Sequence, residues 1–311
     1  MRIVIALGGN AMTAADGRAR VEDQEAAIAA ACGHVAGLIA DGHEVLLTHG
    51  NGPQVGNLLL KNELAATVVP PVPLDWCGAQ TQATIGMMVM NSLGAALRGR
   101  GIEKPVAALV SRTLVDLADP GFAAPSKPIG RHLSEADARV MIEHGQNFVE
   151  VPDKGWRRVV PSPQPKECLD GPAADALLGA GYVVVCSGGG GIPTVRREDG
   201  SLTGVEAVID KDLTAALIAT RLHADVLVIA TDVEAAMTDF GTDHAALIDE
   251  VDPVRMREIT EEQGFAAGSM GPKVEAVTRF AEDSGGTGVI TSLSHISRAV
   301  VGEAGTRVVP N

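Results

Sequence analysis

Short apolar runs alternate with helical segments along most of this chain. The runs are rich in Val, Ile and Leu, which is typical of strands buried on both faces of a parallel sheet. The predicted strands are Ile3–Leu7, Val45–Thr48, Val106–Val110, Tyr182–Cys186, Val226–Thr231 and Gly288–Thr291. The predicted helices are Glu22–Ala40, Gln54–Ala66, Cys77–Arg98, Leu213–Leu222, Pro253–Gln263 and Lys273–Ala281. The pattern predicts an α/β protein with a mainly parallel sheet and helices on each side.

One stretch, residues 119–165, interrupts this alternation. It contains seven prolines and a possible hairpin around Asp153–Trp156. Prolines at this density do not fit a buried strand or a long helix. We therefore predict a small excursion from the sheet that acts as a candidate lid.

Three of the predicted strands run into glycine-rich segments, namely Gly8-Gly9-Asn10, Gly50-Asn51-Gly52 and Gly188–Gly191. Bare backbone at the carboxyl ends of buried strands lets N–H groups approach a phosphate or carboxylate. The first segment alone is equally compatible with a tight turn. The second could form a hairpin turn, but a predicted helix follows it, which favours an anion site at the helix start. Four consecutive glycines in the third, including Gly189 and Gly190, indicate close approach to a ligand.

Composition narrows the class of ligand. The chain has 311 residues, a net charge of −14 and 3% aromatic residues, which argues against nucleic acid as a partner. No apolar run reaches the roughly 18 residues of a membrane span, and no export signal is evident. The four cysteines lack metal-site spacing and are expected to be free, buried thiols. We expect a cytoplasmic protein that concentrates positive charge at one place to bind a small anion.

Lysine usage points to that place. The chain has only seven lysines but 18 arginines. Three of the lysines, Lys127, Lys211 and Lys273, lie next to proline, aspartate or glycine residues. Each could be an ordinary solvated lysine, but a compact ammonium also suits a moving phosphoryl group. Asp210 and Asp212 flank Lys211 and would keep it protonated. Neither the dinucleotide fingerprint nor a Walker A loop is present, so such a phosphate enzyme needs another scaffold.

Eight segments in order carry a family resemblance: ALGGNA, THGNGPQVGNLL, VPLDWCGAQTQATIG, KPIG, GWRRVVPSP, CSGGGGIP, GVEAVIDKD and GSMGPK. Together they closely resemble the carbamate kinases of the amino-acid-kinase superfamily, over nearly the whole chain. The resemblance implies a three-layer αβα sandwich that forms a homodimer. It also implies a carbamate lobe at 1–212 with a protruding lid at about 119–165, and a nucleotide lobe at 213–311. The implied reaction converts ATP and carbamate to ADP and carbamoyl phosphate, and in many relatives it runs toward ATP in arginine catabolism.

The resemblance also implies roles for individual residues. Lys127, Lys211 and Lys273 would neutralise phosphoryl oxygens, and Asp210 and Asp212 would orient these lysines. The residues expected to hold carbamate and the transferring phosphoryl group are Gly8, Gly9, Asn10, Gly50, Asn51, Gly52, Gly189 and Gly190. Those expected to hold the nucleotide are Thr231, Asp232, Phe240, Gly268, Ser269 and Met270. Mg²⁺ would arrive with ATP or ADP, and no metal site on the protein itself is expected.

Two alternatives share the same fold. One is a paralogous kinase that acts on a related small acid. The other is a sensor that binds nucleotide or carbamoyl phosphate without turnover, although the three retained lysines argue against it.

Overall fold

The computed structural model describes residues 1–9, 20–143, 145–266 and 269–310. Its strands are Arg2–Leu7 (β1), Glu44–His49 (β2), Val106–Ala108 (β3), Arg112–Leu114 (β4), Lys127–Leu133 (β5), Asn147–Val151 (β6), Gly155–Val160 (β7), Glu167–Cys168 (β8), Val183–Val185 (β9), Ile192–Arg196 (β10), Leu202–Gly204 (β11), Val226–Thr231 (β12), Met237–Thr238 (β13), Ala246–Leu247 (β14), Glu250–Val251 (β15), Thr287–Ser292 (β16) and Thr306–Val308 (β17). Its α-helices are Val21–Ala40 (α1), Gly52–Ala65 (α2), Leu74–Arg98 (α3), Pro120–Ala123 (α4), Glu135–Glu143 (α5), Gly171–Gly179 (α6), Lys211–Arg221 (α7), Pro253–Gln263 (α8), Met270–Ser284 (α9) and Ile296–Val300 (α10). The predicted alternation is confirmed, with each predicted boundary within three residues of the observed one.

An eight-stranded sheet forms the centre of the molecule, in the order β15-β17-β16-β12-β1-β2-β9-β3. Its strand pairs are parallel except for the antiparallel pair β16–β17. The first strand of the chain lies between β12 and β2, so both of its edges are hydrogen-bonded. The mainly parallel sheet expected from the apolar runs is therefore confirmed.

Helices cover both faces of this sheet. Ile3, Ile5 and Leu7 of β1 pack in a core cluster with residues of α1 and α3. Val4 and Ala6 point to the opposite face and pack with residues of α7 and α9. Because successive strand residues alternate between faces, a strand with a core on both sides must be apolar throughout. This explains the uninterrupted runs in the sequence and confirms the three-layer αβα sandwich.

The proline-rich excursion forms a unit with its own three-stranded antiparallel sheet, ordered β5-β7-β6, together with α4 and α5. The predicted hairpin joins β6 to β7. Ile129 and Val160 of this unit pack against Val55 and Leu59 of α2. That apolar contact seats the excursion, which we call the lid, over the beginning of α2.

A second, four-stranded sheet in the order β11-β10-β4-β8 was not predicted. Its strands have two to five residues, too few for a clear hydrophobic period. The predicted boundary between lobes, at residues 212 and 213, falls inside α7. The division into lobes stays a prediction, and the β1–β12 pair joins strands from both sides of it.

The cysteines agree with a further expectation. Cys32, Cys77, Cys168 and Cys186 are all buried and free, as predicted. Within the described ranges, we find no helix with the length and apolar character required to cross a bilayer.

Candidate active site

The glycine-rich segments meet at one edge of the sheet. β1, β2 and β9 are consecutive parallel neighbours, so their carboxyl ends lie side by side. A Cβ atom at Gly50 would lie 2.9 Å from the backbone nitrogen of Gly9. The two loops therefore approach so closely that only glycine fits at position 50 without a backbone shift. The predicted convergence of the glycine loops is confirmed.

The third glycine segment forms a short 3₁₀ helix at Gly188–Gly190. Gly189 has φ of 67°, a conformation that L side chains rarely adopt, and a Cβ there would overlap the side chain of Asn51. Gly190 has φ of 92° and lies against the carbonyl of Ile209. The consecutive glycines thus bring this backbone directly against the second glycine loop.

Asn51 precedes α2 but does not cap it. Its side-chain Nδ2 instead donates a hydrogen bond to Thr81 Oγ1 of α3 at 2.9 Å. The first turn of α2 faces the same space as the glycine loops. A helix start without a side-chain cap presents N–H groups and the positive end of the helix dipole to an anion.

His49 lies beneath these loops and is almost fully buried. Its Nδ1 donates to the carbonyl of Gly50 at 2.8 Å, and its ring occupies the space that a Cβ at Gly188 would need. Burial lowers the pKa of His49 to about 4, and the nearby Lys211 ammonium acts in the same direction. The ring is therefore neutral at pH 7 and supports both loops. The sequence pattern indicated no such role, because burial is the only feature that distinguishes this histidine.

Two predicted lysines share one buried carboxylate. Lys273 Nζ donates to Asp212 Oδ2 at 2.8 Å, and Lys211 Nζ donates to Asp212 Oδ1. The Asp212 side chain is only 4% exposed. Burial acts to raise the pKa of Asp212, but the two ammonium groups outweigh it and hold the pKa below its usual value. Asp212 therefore fixes both ammonium groups in place as a charged acceptor.

The third predicted lysine reaches the same point from the lid. Lys127 Nζ donates to Asp210 Oδ2 at 2.8 Å. The other oxygen of Asp210 caps α7 by accepting hydrogen bonds from the backbone N–H groups of Asp212 and Leu213. One carboxylate thus fixes the start of α7 and the lid lysine together.

A cavity of about 980 Å³ lies between the glycine loops, the lid and the start of α9. Its lining includes six cationic side chains and two carboxylates: Arg20, Lys127, Arg131, Arg157, Lys211, Lys273, Asp210 and Asp212. This local excess of positive charge in a chain of net charge −14 confirms the expected concentration of cations. The arginines were not predicted, although two of them lie in or beside the strings KPIG and GWRRVVPSP.

Most of the predicted carbamate-side residues line this cavity or adjoin it, but Gly190 is not among the lining residues. Gly9, Gly50, Asn51, Gly52 and Gly189 line it. Gly8 lies one residue away, against the end of β12, where a Cβ would be 3.1 Å from the carbonyl oxygen of Ala230. Asn10 lies outside the described residues.

The predicted nucleotide-side residues are more dispersed. Ser269 lines the cavity at the start of α9, and Gly268 lies outside the described residues. The other four, Thr231, Asp232, Phe240 and Met270, do not line the described part of the cavity. Thr231 ends β12 beside Gly8, whereas Phe240, between β13 and β14, is 76% exposed. Their roles in nucleotide binding stay predictions.

The fold and the cationic cavity at its strand ends are those of an α/β phosphotransferase. Comparison with known proteins identifies the family within this class. The sequence profile of the Amino acid kinase family matches residues 1–292. The carbamate kinase of Trichomonas vaginalis is 41% identical over 100% of both chains, and that of Haemophilus influenzae is 45% identical over 99% of this chain and 96% of its own. Carbamate kinase from Giardia lamblia bound to AMP-PNP is 37% identical, with a TM-score of 0.95 over 100% of this chain and 98% of that one. The chain belongs to the amino acid kinase family.

Proposed function

We propose that this protein is a carbamate kinase, which transfers a phosphoryl group reversibly between ATP and carbamate to give ADP and carbamoyl phosphate. The observation that carries the proposal is the arrangement of Lys127, Lys211 and Lys273 around two adjacent carboxylates in one glycine-lined cavity. Full-length relatives that carry this name support it. We further propose ATP formation during arginine catabolism as its setting.

The chemistry needs charge compensation more than proton transfer. Carbamate is already an anion, so its oxygen can attack the γ-phosphorus without a general base. The main obstacle is repulsion between two anions, which fixed ammonium groups and backbone N–H groups reduce. His49 does not serve as a base in this scheme, because it is buried and donates to the carbonyl of Gly50.

The residues divide this task by position. Gly9, Gly50 and the uncapped start of α2 would bind the carbamate and the transferring phosphoryl group. Lys211 and Lys273, held by Asp212, would follow the phosphoryl oxygens from donor to acceptor. Lys127 would add charge from the lid. The nucleotide would lie on the side of Ser269 and the start of α9, and the related Giardia enzyme, which binds AMP-PNP, supports a nucleotide of this class.

Mg²⁺ would enter as part of the nucleotide substrate. Among the described residues, no group of three or more His, Cys, Asp or Glu side chains could hold a metal ion. Asp210 and Asp212, the carboxylates that line the cavity, are each bonded to lysine. The phosphate oxygens of the nucleotide are thus the expected main ligands, and the ion would neutralise their charge.

An assay of ATP formation from ADP and carbamoyl phosphate tests this proposal against its alternatives. A carbamate kinase forms ATP with carbamoyl phosphate and much more slowly with acetyl phosphate. A kinase for another small acid forms ATP with carbamoyl phosphate no faster than with acetyl phosphate. A sensor binds ADP, as measured by calorimetry, but forms no ATP, and either of these last two results would overturn the proposal.

We also propose a cytoplasmic homodimer. Trp76 and Met87 lie 11 residues apart on α3, which is close to three helical turns, and these two residues are 60% and 51% exposed. Gly86, which precedes Met87 on this helix, packs against Ala108 of β3, the edge strand of the main sheet, and this helix face is left exposed. A second copy of the chain would cover it. Four buried, free thiols are compatible with a reducing compartment.

Sedimentation equilibrium tests the dimer. The wild-type chain is expected to sediment as a dimer, and the double variant Trp76→Glu/Met87→Glu as a monomer. The control Val301→Glu alters an exposed valine on another part of the surface and should leave the dimer intact. A monomeric wild type, or a dimer that survives the double substitution, would contradict the assignment.

A further inference from the structure

We propose that Arg157 of the lid is a further substrate-binding residue, which contacts the phosphate group of carbamoyl phosphate. The identity of that anion rests on the proposed function. Two observations about this side chain carry the inference. Arg157 lines the cavity, and its Nε atom is buried without a hydrogen-bond partner within the described chain.

The position of Arg157 in the lid sheet explains its approach to the cavity. It lies on β7, opposite His132 of β5 and Val149 of β6. The next residue, Arg158, points to the other face of the strand, where its Nη2 lies 3.6 Å from Glu206. Because side chains alternate between the two faces of β7, Arg158 forms an ion pair on one face and Arg157 faces the cavity on the other.

The pairing of the cavity cations distinguishes Arg157 from the lysines. Lys127, Lys211 and Lys273 each donate to a carboxylate, whereas Arg157 has no such partner in the described part of the protein. A buried N–H group without an acceptor lowers stability, and native proteins rarely keep one without a functional reason. An anion in the cavity would supply the missing acceptor.

The chemistry of the side chain indicates the kind of anion. A guanidinium group presents Nε–H and Nη–H in a planar fork that matches two oxygens of a phosphate or carboxylate. The lysines nearby supply point charges without this directionality. Arg157 would therefore orient the phosphate group, while the lysines compensate its charge.

The lid contributes two cationic side chains to the cavity. Lys127 and Arg157 both belong to the lid sheet and both line the cavity beneath it. Lys127 bonds to Asp210, which ties the lid to the start of α7 at one point. A bound phosphate would attract the lid at a second point, so the occupied site would hold the lid more firmly than the empty one.

Steady-state kinetics of three variants test the assignment. Arg157→Gln removes the fork, Arg157→Lys keeps the charge alone, and Arg139→Gln removes an exposed lid arginine that pairs with Glu135 as a matched control. We expect Arg157→Gln to raise the KM for carbamoyl phosphate about 10- to 100-fold, with the KM for ADP within about twofold of wild type. Arg157→Lys should restore part of the loss, and the control should match wild type. An unchanged KM for carbamoyl phosphate in Arg157→Gln, or an equal rise for both substrates, would overturn the inference.

A thermal-shift experiment with inorganic phosphate separates this inference from the proposed function. If the wild type formed no ATP, the proposed function would fail, but phosphate should still raise its Tm. That shift should be lost in Arg157→Gln and retained in Arg139→Gln. Because Arg157 Nε–H has no acceptor within the described protein, the Tm of ligand-free Arg157→Gln should not fall below that of wild type. A full phosphate shift in Arg157→Gln would show that Arg157 does not bind the anion.

Discussion

Lys273 Nζ lies 2.8 Å from Asp212 Oδ2, so a lysine in the first turn of α9 is bonded to the second residue of α7. The other oxygen of the same carboxylate accepts from Lys211. Two ammonium groups that would repel each other are thereby held at one point of the cavity. Asp212 is the residue on which this arrangement depends.

Replacing Asp212 should therefore damage both activity and stability. In Asp212→Asn the two ammonium groups lose their shared counter-charge while remaining largely buried. We expect kcat for ATP formation to fall at least about 100-fold and the free energy of unfolding to fall by about 3 kcal/mol. Kinetics and urea denaturation measure the two effects. Asp283→Asn, at an exposed position of α9, is the control and should change neither.

Lys127 makes a different contribution, because it belongs to the lid. Lys127→Ala should lower kcat strongly, by about 100-fold or more, because an ammonium group near the phosphoryl oxygens is lost. The affinity for ADP, measured by calorimetry, should stay nearly unchanged. Lys154→Ala removes an exposed lysine from the same lid and should behave as wild type. A large loss of ADP affinity in Lys127→Ala would show that this lysine contacts the nucleotide instead.

The contact between the first two glycine loops predicts that Gly50 tolerates no side chain. A Cβ there would lie 2.9 Å from the nitrogen and 3.0 Å from the Cα of Gly9, both backbone atoms. Gly50→Ala should lower the free energy of unfolding by about 1–3 kcal/mol and kcat by at least about tenfold. Gly33→Ala in α1, where a Cβ meets no atom within 4 Å, should instead raise stability by up to about 1 kcal/mol. Equal stability of Gly50→Ala and wild type would contradict the close approach.

The main sheet and the glycine loops were predictable because their signals are local. A strand buried on both faces must be continuously apolar, and a loop that approaches another backbone must use glycine. The residue types at Ile3–Leu7 and Gly50 were therefore sufficient to predict their structural roles. His49 and Arg157 could not be recognised in the same way. The role of each depends on burial and on partners distant in sequence, which a residue type does not reveal. The small sheet with β10 was missed because its strands are short.

The burial of His49 predicts a pH dependence of stability. Its pKa is about 4 in the folded protein, below the ordinary value of 6.5, so the unfolded chain binds the proton more readily. The contribution of neutral His49 to the free energy of unfolding is therefore fully present above about pH 6.5. It decreases as the pH falls toward 4, by up to about 3 kcal/mol. His49→Asn, which retains a donor for the carbonyl of Gly50, should remove most of this dependence. Urea denaturation at several pH values measures it.

Two other groups provide controls for this prediction. His43 also has a lowered pKa, from burial and from the amino terminus, but it is partly exposed, so His43→Asn should have a much smaller effect. Asp212 has a pKa below its ordinary value of 3.8, so its contribution is lost only at still lower pH. A slope between pH 6.5 and 4 that is unchanged in His49→Asn would refute the assignment to His49.

The central claim is that glycine N–H groups and three ammonium groups surround the phosphoryl group during transfer. A crystal structure of the protein with ADP, Mg²⁺ and aluminium fluoride, which mimics the transferring phosphoryl group, tests it most directly. The account predicts aluminium fluoride within about 3 Å of Lys211 Nζ, Lys273 Nζ and a backbone N–H of the Gly50–Gly52 loop, with Lys127 directed at it from the lid. Aluminium fluoride bound away from these ammonium groups would contradict the account.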